Sequence, residues 1–415
     1  MSLFKKKNEI EKVELSEKNV KVRFILAALL LAVGLAFLAF FLVKSLTEEP
    51  GWQTVEISNQ SYMQAGEFTL NYDLGKEDLS ATKEKRELQT AYGDAMRQVY
   101  PLFDALRAHD GVNNVYTINC RPNEVLTVDP ILYNAFLLLE SYGDRSLYLA
   151  PIQAQYRSLF LCDTDASAGE FDPYVTEEIR IFASEIAAFA SDPAAIRIEL
   201  LEQNQMRLSV SQDYLSYATE NELDSFIDFS WMANAFVIDA VADKLISKGF
   251  TRGYLISYDG YARYLDGGVT EYNVPLYHRV GQDIYPVAVA NVTSAKALVQ
   301  LRDYPFPIER ARDYYGYADG RCATRYASVE DGLYKSACSD LNAFSNSKGC
   351  AEMALTLSSV FIASELDESR LVAADAAGIS VIWCEDRVVY HTAHAPALTQ
   401  LFNNGTVRYT VSPAS

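Results

Sequence analysis

Few polar side chains in this sequence are spaced so that they could act together in chemistry. Glu352 and Thr356 are four residues apart in a segment with helical periodicity, so their oxygens share one face and could approach one cation. A solvated glutamate beside an internally packed threonine would give the same spacing. His391 and His394 lie near the end of a predicted strand and could bind a metal, but no cysteine or carboxylate trio accompanies them. Two exposed loop histidines are the simpler interpretation.

The cysteines allow two interpretations, which the sequence leaves open. The six residues are Cys120, Cys162, Cys322, Cys338, Cys350 and Cys384. An even number in an oxidising compartment permits up to three disulfides, whereas six buried thiols would need no pairing. The sequence contains no C-x-x-C pair, so a zinc or thioredoxin-type site has no support.

An apolar segment near the amino terminus is long enough to cross a membrane. Residues 24–43 are apolar and uncharged, and a helix of that length spans about 30 Å, the thickness of the bilayer hydrocarbon core. A cleaved signal peptide is the alternative. However, a long segment precedes the apolar run and no small-x-small cleavage site follows Val43, which favours an uncleaved anchor.

The charge distribution predicts the orientation of this anchor. Residues 1–23 carry seven Lys or Arg and four Glu, a net of +3, and the whole chain carries −19, which leaves −22 for the remainder. The basic segment is therefore expected in the cytoplasm and the acidic body outside it, as a single-pass protein of the cell membrane. An acidic body repels phosphate backbones, so no nucleic-acid partner is expected.

The elements that must position these residues follow from hydrophobic periodicity and turn signals. The predicted helices cover residues 80–107, 130–141, 172–190 and 350–364. The predicted strands lie within residues 54–72, 196–210, 274–301, 379–384 and 388–391. Strands and helices without strict βαβ alternation indicate an α+β fold. We expect a linker over 44–53, one mixed sheet-and-helix body over 54–395, and a tail over 396–415.

Residues 228–261 predict a strand end, a helix, a glycine turn, a strand and a tight turn. Their sequence is DFSWMANAFVIDAVADKLISKGFTRGYLISYDGY. It resembles the central motif of the FAD:protein FMN transferase (ApbE-type) family, D-L-G-G-x-A-K-G-Y-A-V-D, followed by a helix and a strand ending in G-G-D. Asp228 and Asp239 are kept. The sequence has Ser230-Trp231 at the paired glycines, Asn234 at the lysine and Tyr258-Asp259-Gly260 at G-G-D.

Four further segments resemble the family in the same order. Met63-Gln64-Ala65 lies where the family has M-G-T, and residues 141–152 (SYGDRSLYLAPI) match T-G-G-x-F-D-P-T-x-G-P-L. Residues 325–335 (RYASVEDGLYK) match R-Y-H-H-I-I-D-P-x-T-G, with Ala327 and Ser328 at the two histidines. Residues 351–356 (AEMALT) match A-D-A-L-A-T. Together the segments cover most of the body and predict an ApbE-like fold.

The resemblance implies FAD and Mg²⁺ as cofactors, and it assigns candidate site residues. The candidates for cofactor binding are Met63, Asp228, Asn234, Tyr258 and Asp259. Glu352 and Thr356 match the family's magnesium ligands. Asp331 is a weak catalytic candidate, because the histidines that precede it in the family are absent.

Two functions compete on this basis. Bulky residues replace glycines that would let backbone approach a dinucleotide, and the phosphate-facing lysine is lost. These changes favour a non-catalytic binding or interaction domain, whose partner would be a flavoprotein or a membrane redox complex. The alternative is an active Mg²⁺-dependent transferase that moves FMN from FAD to a Ser or Thr of an acceptor protein.

Overall fold

The computed structural model describes residues 20–46, 48–57, 67–76, 80–267, 269–305, 313–403 and 407–414. Helix α1, Val20–Leu46, contains the whole predicted apolar run and extends beyond it at both ends. Among the described residues, it is the one helix long and apolar enough to cross a bilayer. Its side chains from Val20 to Leu38 are exposed, as expected for a segment that does not pack on the body.

The body is built from ten further helices and seventeen strands within the described ranges. The helices are α2 Ala81–Val99, α3 Val115–Asn119, α4 Pro130–Tyr142, α5 Ala150–Phe160, α6 Asp165–Gly169, α7 Glu177–Ser191, α8 Gln212–Glu220, α9 Ala233–Ser247, α10 Cys350–Phe361 and α11 Glu368–Ala376. The strands are β1 Gly51–Val55, β2 Phe68–Leu74, β3 Val125–Thr127, β4 Ile196–Leu200, β5 Gln205–Val210, β6 Gly253–Ser257, β7 Tyr261–Tyr264, β8 Tyr272–Val280, β9 Asp283–Val292, β10 Ala297–Arg302, β11 Tyr314–Gly316, β12 Cys322–Thr324, β13 Asp340–Ser345, β14 Ser380–Glu385, β15 Val388–His391, β16 Ala397–Leu401 and β17 Thr410–Pro413. This mixture confirms the α+β prediction.

A nine-stranded sheet, counted over the described residues, organises the body in the order β1-β2-β6-β7-β10-β13-β14-β15-β17. Neighbouring strands are antiparallel except β15 and β17, which are parallel. Successive side chains point to opposite faces, so Leu255 and Val299 join the core beneath α9 and α10. Leu298 and Phe344 point the other way, into a second core shared with the smaller sheet β16-β9-β8.

Local signals predict several element ends correctly. Asp129 accepts a hydrogen bond from the backbone N of Ile131 (2.8 Å), and α4 ends at Gly143 with a left-handed φ of +63°. An aspartate N-cap and a left-handed residue after the last helical turn are common features of helix ends. The β4–β5 hairpin turns through Gln203 and Asn204, at φ of +58° and +57°, which is the backbone that two-residue hairpin turns require.

The structure changes three predicted boundaries. Helix α2 ends at Val99 rather than near residue 107, because Pro101 has no N–H to continue the helix. Helix α7 begins at Glu177 rather than at 172, because the fully buried Asp172 accepts hydrogen bonds from the hydroxyls of Tyr317 (2.7 Å) and Tyr334 (3.2 Å). The predicted tail contributes β16 and β17 to the two sheets.

Candidate functional site

The tight turn between β6 and β7 holds a buried carboxylate. Asp259 is 3% exposed. It accepts hydrogen bonds from Ser257 Oγ (2.5 Å) and Asn234 Nδ2 (3.1 Å). Arg325 Nη2 lies 3.3 Å from the same carboxylate. The structure thus brings two predicted cofactor-binding residues, Asn234 and Asp259, into one network, where they bind each other.

Arg325 supplies the positive charge of this network. Its side chain is 10% exposed and lies between Asp259 and Asp313, the second carboxylate being 3.8 Å away. Burial alone would lower the pKa of the guanidinium, but Asp313 and Asp259 raise it well above its ordinary value. Its Nε is buried without a hydrogen-bond partner among the described residues. Position 234 is therefore uncharged where the family motif has lysine, and the positive charge beside Asp259 comes from Arg325, which matches the arginine of the family's R-Y-H-H segment.

Ser230 and Trp231 occupy the positions of the family's paired glycines. Ser230 keeps a left-handed backbone, with φ of +49°, and its N–H donates to Asp228 Oδ1 (2.8 Å). Trp231 is 1% exposed, and its ring packs on Tyr326 with centroids 5.4 Å apart. The serine therefore retains glycine-like geometry while the indole fills space inside the protein.

Asp228 and Tyr258, two further predicted cofactor-binding residues, are held by protein partners. The second oxygen of Asp228 pairs with Arg157 at 3.1 Å. The Tyr258 hydroxyl donates to Asp313 Oδ2 at 3.4 Å. Burial, followed by the charge of Asp313, raises the pKa of this phenol. Met63, the fifth candidate, lies outside the described residues.

The loop that carries Asp331 is arranged as a structural turn. Asp331 accepts from the backbone N of Leu333 (3.1 Å) and pairs with Lys335 Nζ (2.6 Å). Gly332 follows at φ of +75°, and a Cβ there would lie 2.5 Å from the carbonyl oxygen of Ala183. Proline, the family residue at this position, requires a negative φ. The loop has therefore departed from the family's backbone geometry.

Glu352 and Thr356 share a face of α10, but neither presents an oxygen directed at a cation. Glu352 forms an ion pair with Lys348 and accepts from the Tyr142 hydroxyl at 3.1 Å. The Thr356 hydroxyl donates to the carbonyl oxygen of Glu352 within the helix (2.8 Å). The bond to Glu352 raises the pKa of Lys348, so an ammonium occupies one side of the carboxylate.

A magnesium ion needs several oxygen ligands in near-octahedral geometry, and Lys348 would compete with it for Glu352. No group of three or more His, Cys, Asp or Glu side chains could hold a metal in the described parts of the chain. The assignment of Glu352 and Thr356 as magnesium ligands stays a prediction, and the contacts of Lys348 count against it.

Asp239, which matches the last residue of the family's D-L-G-G-x-A-K-G-Y-A-V-D stretch, has a structural role. Its carboxylate accepts from the backbone N–H groups of Cys350 (3.0 Å) and Ala351 (2.9 Å), at the start of α10. Arg263 Nη1 pairs with it at 2.6 Å. A carboxylate at a helix N-terminus satisfies otherwise unpaired donors. This residue therefore joins α9 to α10.

A cavity of about 420 Å³ marks where three of the resembling segments meet. It is lined by residues of the 141–152 segment, the 325–335 loop and α10. Asp144 lies in the wall of this cavity and accepts hydrogen bonds from Ser358 Oγ at 3.1 Å and from Ser146 Oγ at 2.5 Å. Arg145 also lines the cavity, and its guanidinium donates to the carbonyl oxygens of Ala190 and Ile196.

The histidines and cysteines form no composite site in the described chain. His394 Nδ1 lies 2.7 Å from Asp375 Oδ2, whereas His391 Nδ1 lies 3.0 Å from the carbonyl oxygen of Thr392. All six cysteines are free thiols, but only Cys338, Cys350 and Cys384 are buried, so the interpretation as buried thiols holds for three of the six.

Sequence reasoning missed the residues that complete these networks. Lys348 lies two residues before α10, outside the predicted helix, so helical spacing gave no signal for its pairing with Glu352. Arg325 belongs to a resembling segment, but its pairing with Asp259 spans 66 positions and leaves no local signal.

The chain resembles several solved structures of ApbE proteins. The ApbE protein of Thermotoga maritima superposes with a TM-score of 0.53 at 12% identity, covering 76% of this chain and 90% of that one. The flavinyl transferase ApbE of Pseudomonas stutzeri gives 0.51 at 14% identity, covering 84% and 96%. The flavin transferase ApbE of Vibrio cholerae gives 0.50 at 12%, covering 76% and 89%. No protein-family model and no curated protein sequence matches the chain. The chain thus has an ApbE-like fold.

Proposed function

We propose that this protein is a membrane-anchored, non-catalytic binding or interaction domain built on an ApbE-like fold. The observation that carries the proposal is the internal pairing at the motif positions. Asp259 is neutralised by Arg325 and hydrogen-bonded by Asn234, and Glu352 is neutralised by Lys348. Charged groups that satisfy each other in this way leave little interaction energy for a dinucleotide or a cation.

The chemistry of FMN transfer explains why this pairing matters. Breaking the pyrophosphate of FAD requires charge neutralisation on the phosphates and a base for the attacking hydroxyl. In this chain Asn234 is uncharged, and Ala327 and Ser328 are buried where the family has histidines. General-base help contributes about 10² to 10⁴ in rate, so its loss would remove most of the activity.

Calorimetry with FAD, in the presence and absence of Mg²⁺, tests binding by the full chain. We expect no binding tighter than about 100 µM. A dissociation constant near 1 µM, about −8 kcal/mol, would contradict the proposal. A flavin transferase with intact motifs, measured in the same buffer, serves as the positive control.

Transfer is tested separately by incubating the full chain with FAD, Mg²⁺ and a flavin-accepting domain, followed by mass spectrometry for covalent FMN. We expect none. Covalent FMN that disappears in a Glu352→Ala variant would overturn the non-catalytic proposal and support the active Mg²⁺-dependent transferase.

The membrane part of the proposal is supported by α1 and by the charge asymmetry of the sequence. We propose that α1 is a single-pass anchor, with residues 1–23 in the cytoplasm and the body outside the cell membrane. A reporter active only in the cytoplasm, fused after Ser415, should give no signal. A strong signal would reverse the orientation.

We propose a flavoprotein or a membrane redox complex as the partner. Cross-linking in intact membranes followed by mass spectrometry tests this. Recovery of unrelated proteins alone, with no flavoprotein or redox subunit among them, would contradict the proposal.

A further inference from the structure

The smaller sheet covers only part of one face of the main sheet. Leu298 and Phe344 are buried beneath β8 and β9, whereas Thr69 and Ile256, on β2 and β6, remain exposed on the same face. A cleft of about 620 Å³ lies at this boundary. It opens on the side of the sheet opposite α10, which carries Glu352. Of the predicted site residues described above, Tyr258 lines this cleft, whereas Asp259, Asn234 and Glu352 do not.

Aromatic side chains dominate the walls of this cleft. The six that matter here are Trp52, Tyr254, Tyr258, Tyr264, Tyr272 and Tyr277. The rings of Trp52 and Tyr254 have centroids 5.7 Å apart, those of Tyr254 and Tyr272 5.3 Å, and those of Tyr264 and Tyr272 4.4 Å. Contacts at these distances hold each ring against its neighbour. The wall is therefore preformed and does not need a ligand to order it.

Of the two charged residues that the structure describes in the cleft, the cation is already ion-paired and the carboxylate is exposed. Within its described lining, Glu271 and Arg302 are the charged residues. Glu271 accepts from the side-chain amide of Asn291, and Arg302 pairs with Asp340 at 3.1 Å. Gln300 and Asn273 add uncharged groups that can donate and accept hydrogen bonds. A phosphate or another strong anion would find no uncompensated partner there.

We propose that this cleft binds an uncharged, planar ligand of two or three fused rings. Its volume lies within the range of about 300–1,000 Å³ typical of small-molecule sites. Tyrosine and tryptophan faces stack on planar rings of any substitution pattern. The uncharged polar groups would then fix the orientation of the ring. The proposal rests on the aromatic wall and not on the pairing of Asp259 or Glu352.

Lumichrome, an uncharged three-ring compound, is a suitable probe for the full chain in lipid nanodiscs. Trp52 is 48% exposed, whereas Trp231 and Trp383 are each 1% exposed. Quenching of tryptophan emission by acrylamide therefore reports mainly on Trp52, and bound probe should shield it. Calorimetry should give a dissociation constant of about 100 µM or tighter.

Two variants locate the bound probe. Tyr254→Ser removes the ring that contacts three others in the wall and should weaken binding about tenfold, the usual effect of losing one stacking partner. Trp52→Ala should do the same, and its exposed position makes the change tolerable for folding. Tyr285→Ser is the matched control, because Tyr285 is a half-buried tyrosine on β9 outside the cleft.

The outcomes separate cleanly. Saturable binding weakened by Tyr254→Ser and Trp52→Ala, but not by Tyr285→Ser, supports the site. The same affinity in all variants, or no saturable binding, overturns it. FMN offers a charged comparison: if its binding is tenfold tighter than that of lumichrome and is lost in Tyr254→Ser, the inference that the ligand is uncharged is wrong.

Discussion

Replacing Arg325 by methionine tests whether the buried network at the β6–β7 turn is internally neutralised. The change keeps an unbranched apolar stem but removes the charge that faces Asp259 and Asp313. Asp259 would then be a carboxylate at 3% exposure without its cation. Breaking a buried ion pair from one side costs about 3–5 kcal/mol. We expect a loss of that size in the free energy of unfolding, measured by urea denaturation of the full chain in detergent.

Two further variants make this test decisive. Arg180→Met removes a cation that is 55% exposed and paired with Glu177 on the surface of α7, so it should leave the free energy of unfolding nearly unchanged. Adding Asp259→Asn to Arg325→Met removes the uncompensated charge and should restore at least about 1 kcal/mol. A loss below 1 kcal/mol in Arg325→Met, or strictly additive losses in the double variant, would show that the pair does not neutralise the turn.

Three other predictions address the metal, the loop and pH. Replacing EDTA by Mg²⁺ should leave the melting temperature unchanged, because Lys348 already pairs with Glu352. A metal bound at 100 times its dissociation constant would add about 2.7 kcal/mol to the free energy of unfolding, so a clear rise in the melting temperature would refute this. Gly332→Pro should lower the free energy of unfolding by more than about 1 kcal/mol, since φ there is +75°; an unchanged urea midpoint would refute this. Burial lowers the pKa of His278 below 6.5 in the folded state, and the charge of Arg279 lowers it further. The unfolded chain therefore binds more protons than the folded chain, and the free energy of unfolding should fall as the pH drops through 6.5. His278→Asn should flatten that dependence between pH 7 and pH 5, and an unchanged slope would contradict it.

The paired network also changes how the retained family residues should be interpreted. Asp239 is kept because α10 needs an acceptor at its first N–H groups, and Asp228 is kept beside a left-handed Ser230. Both roles are structural and would persist after catalysis was lost. A retained aspartate is therefore weaker evidence about activity here than the identity of the group to which its carboxylate is bonded.

The sequence by itself determined the features that depend on neighbouring residues. Asp129-Pro130 begins α4, because an N-cap side chain and a proline at the first helical position act within one helical turn. The hairpins at 196–210 and 379–391 follow from alternation and from turn residues between the strands. The apolar run at 24–43 predicts α1 from length alone. The order of the resembling segments predicted the ApbE-like fold, and the structural similarity confirms it.

Only the tertiary structure decided what the site residues do. Asp259 meets Arg325 across the fold, and Asp144 meets Ser358 from another segment, because packing the 325–335 loop and α10 against the sheet brings them together. The aromatic cleft depends on how far the β16-β9-β8 sheet extends over the main sheet. The cleft is bordered by β8, which pairs with β9 and lies far in sequence from β2, another strand that lines it. Contacts between residues far apart in sequence produce no hydrophobic periodicity along the chain. They can therefore be identified only in the folded structure.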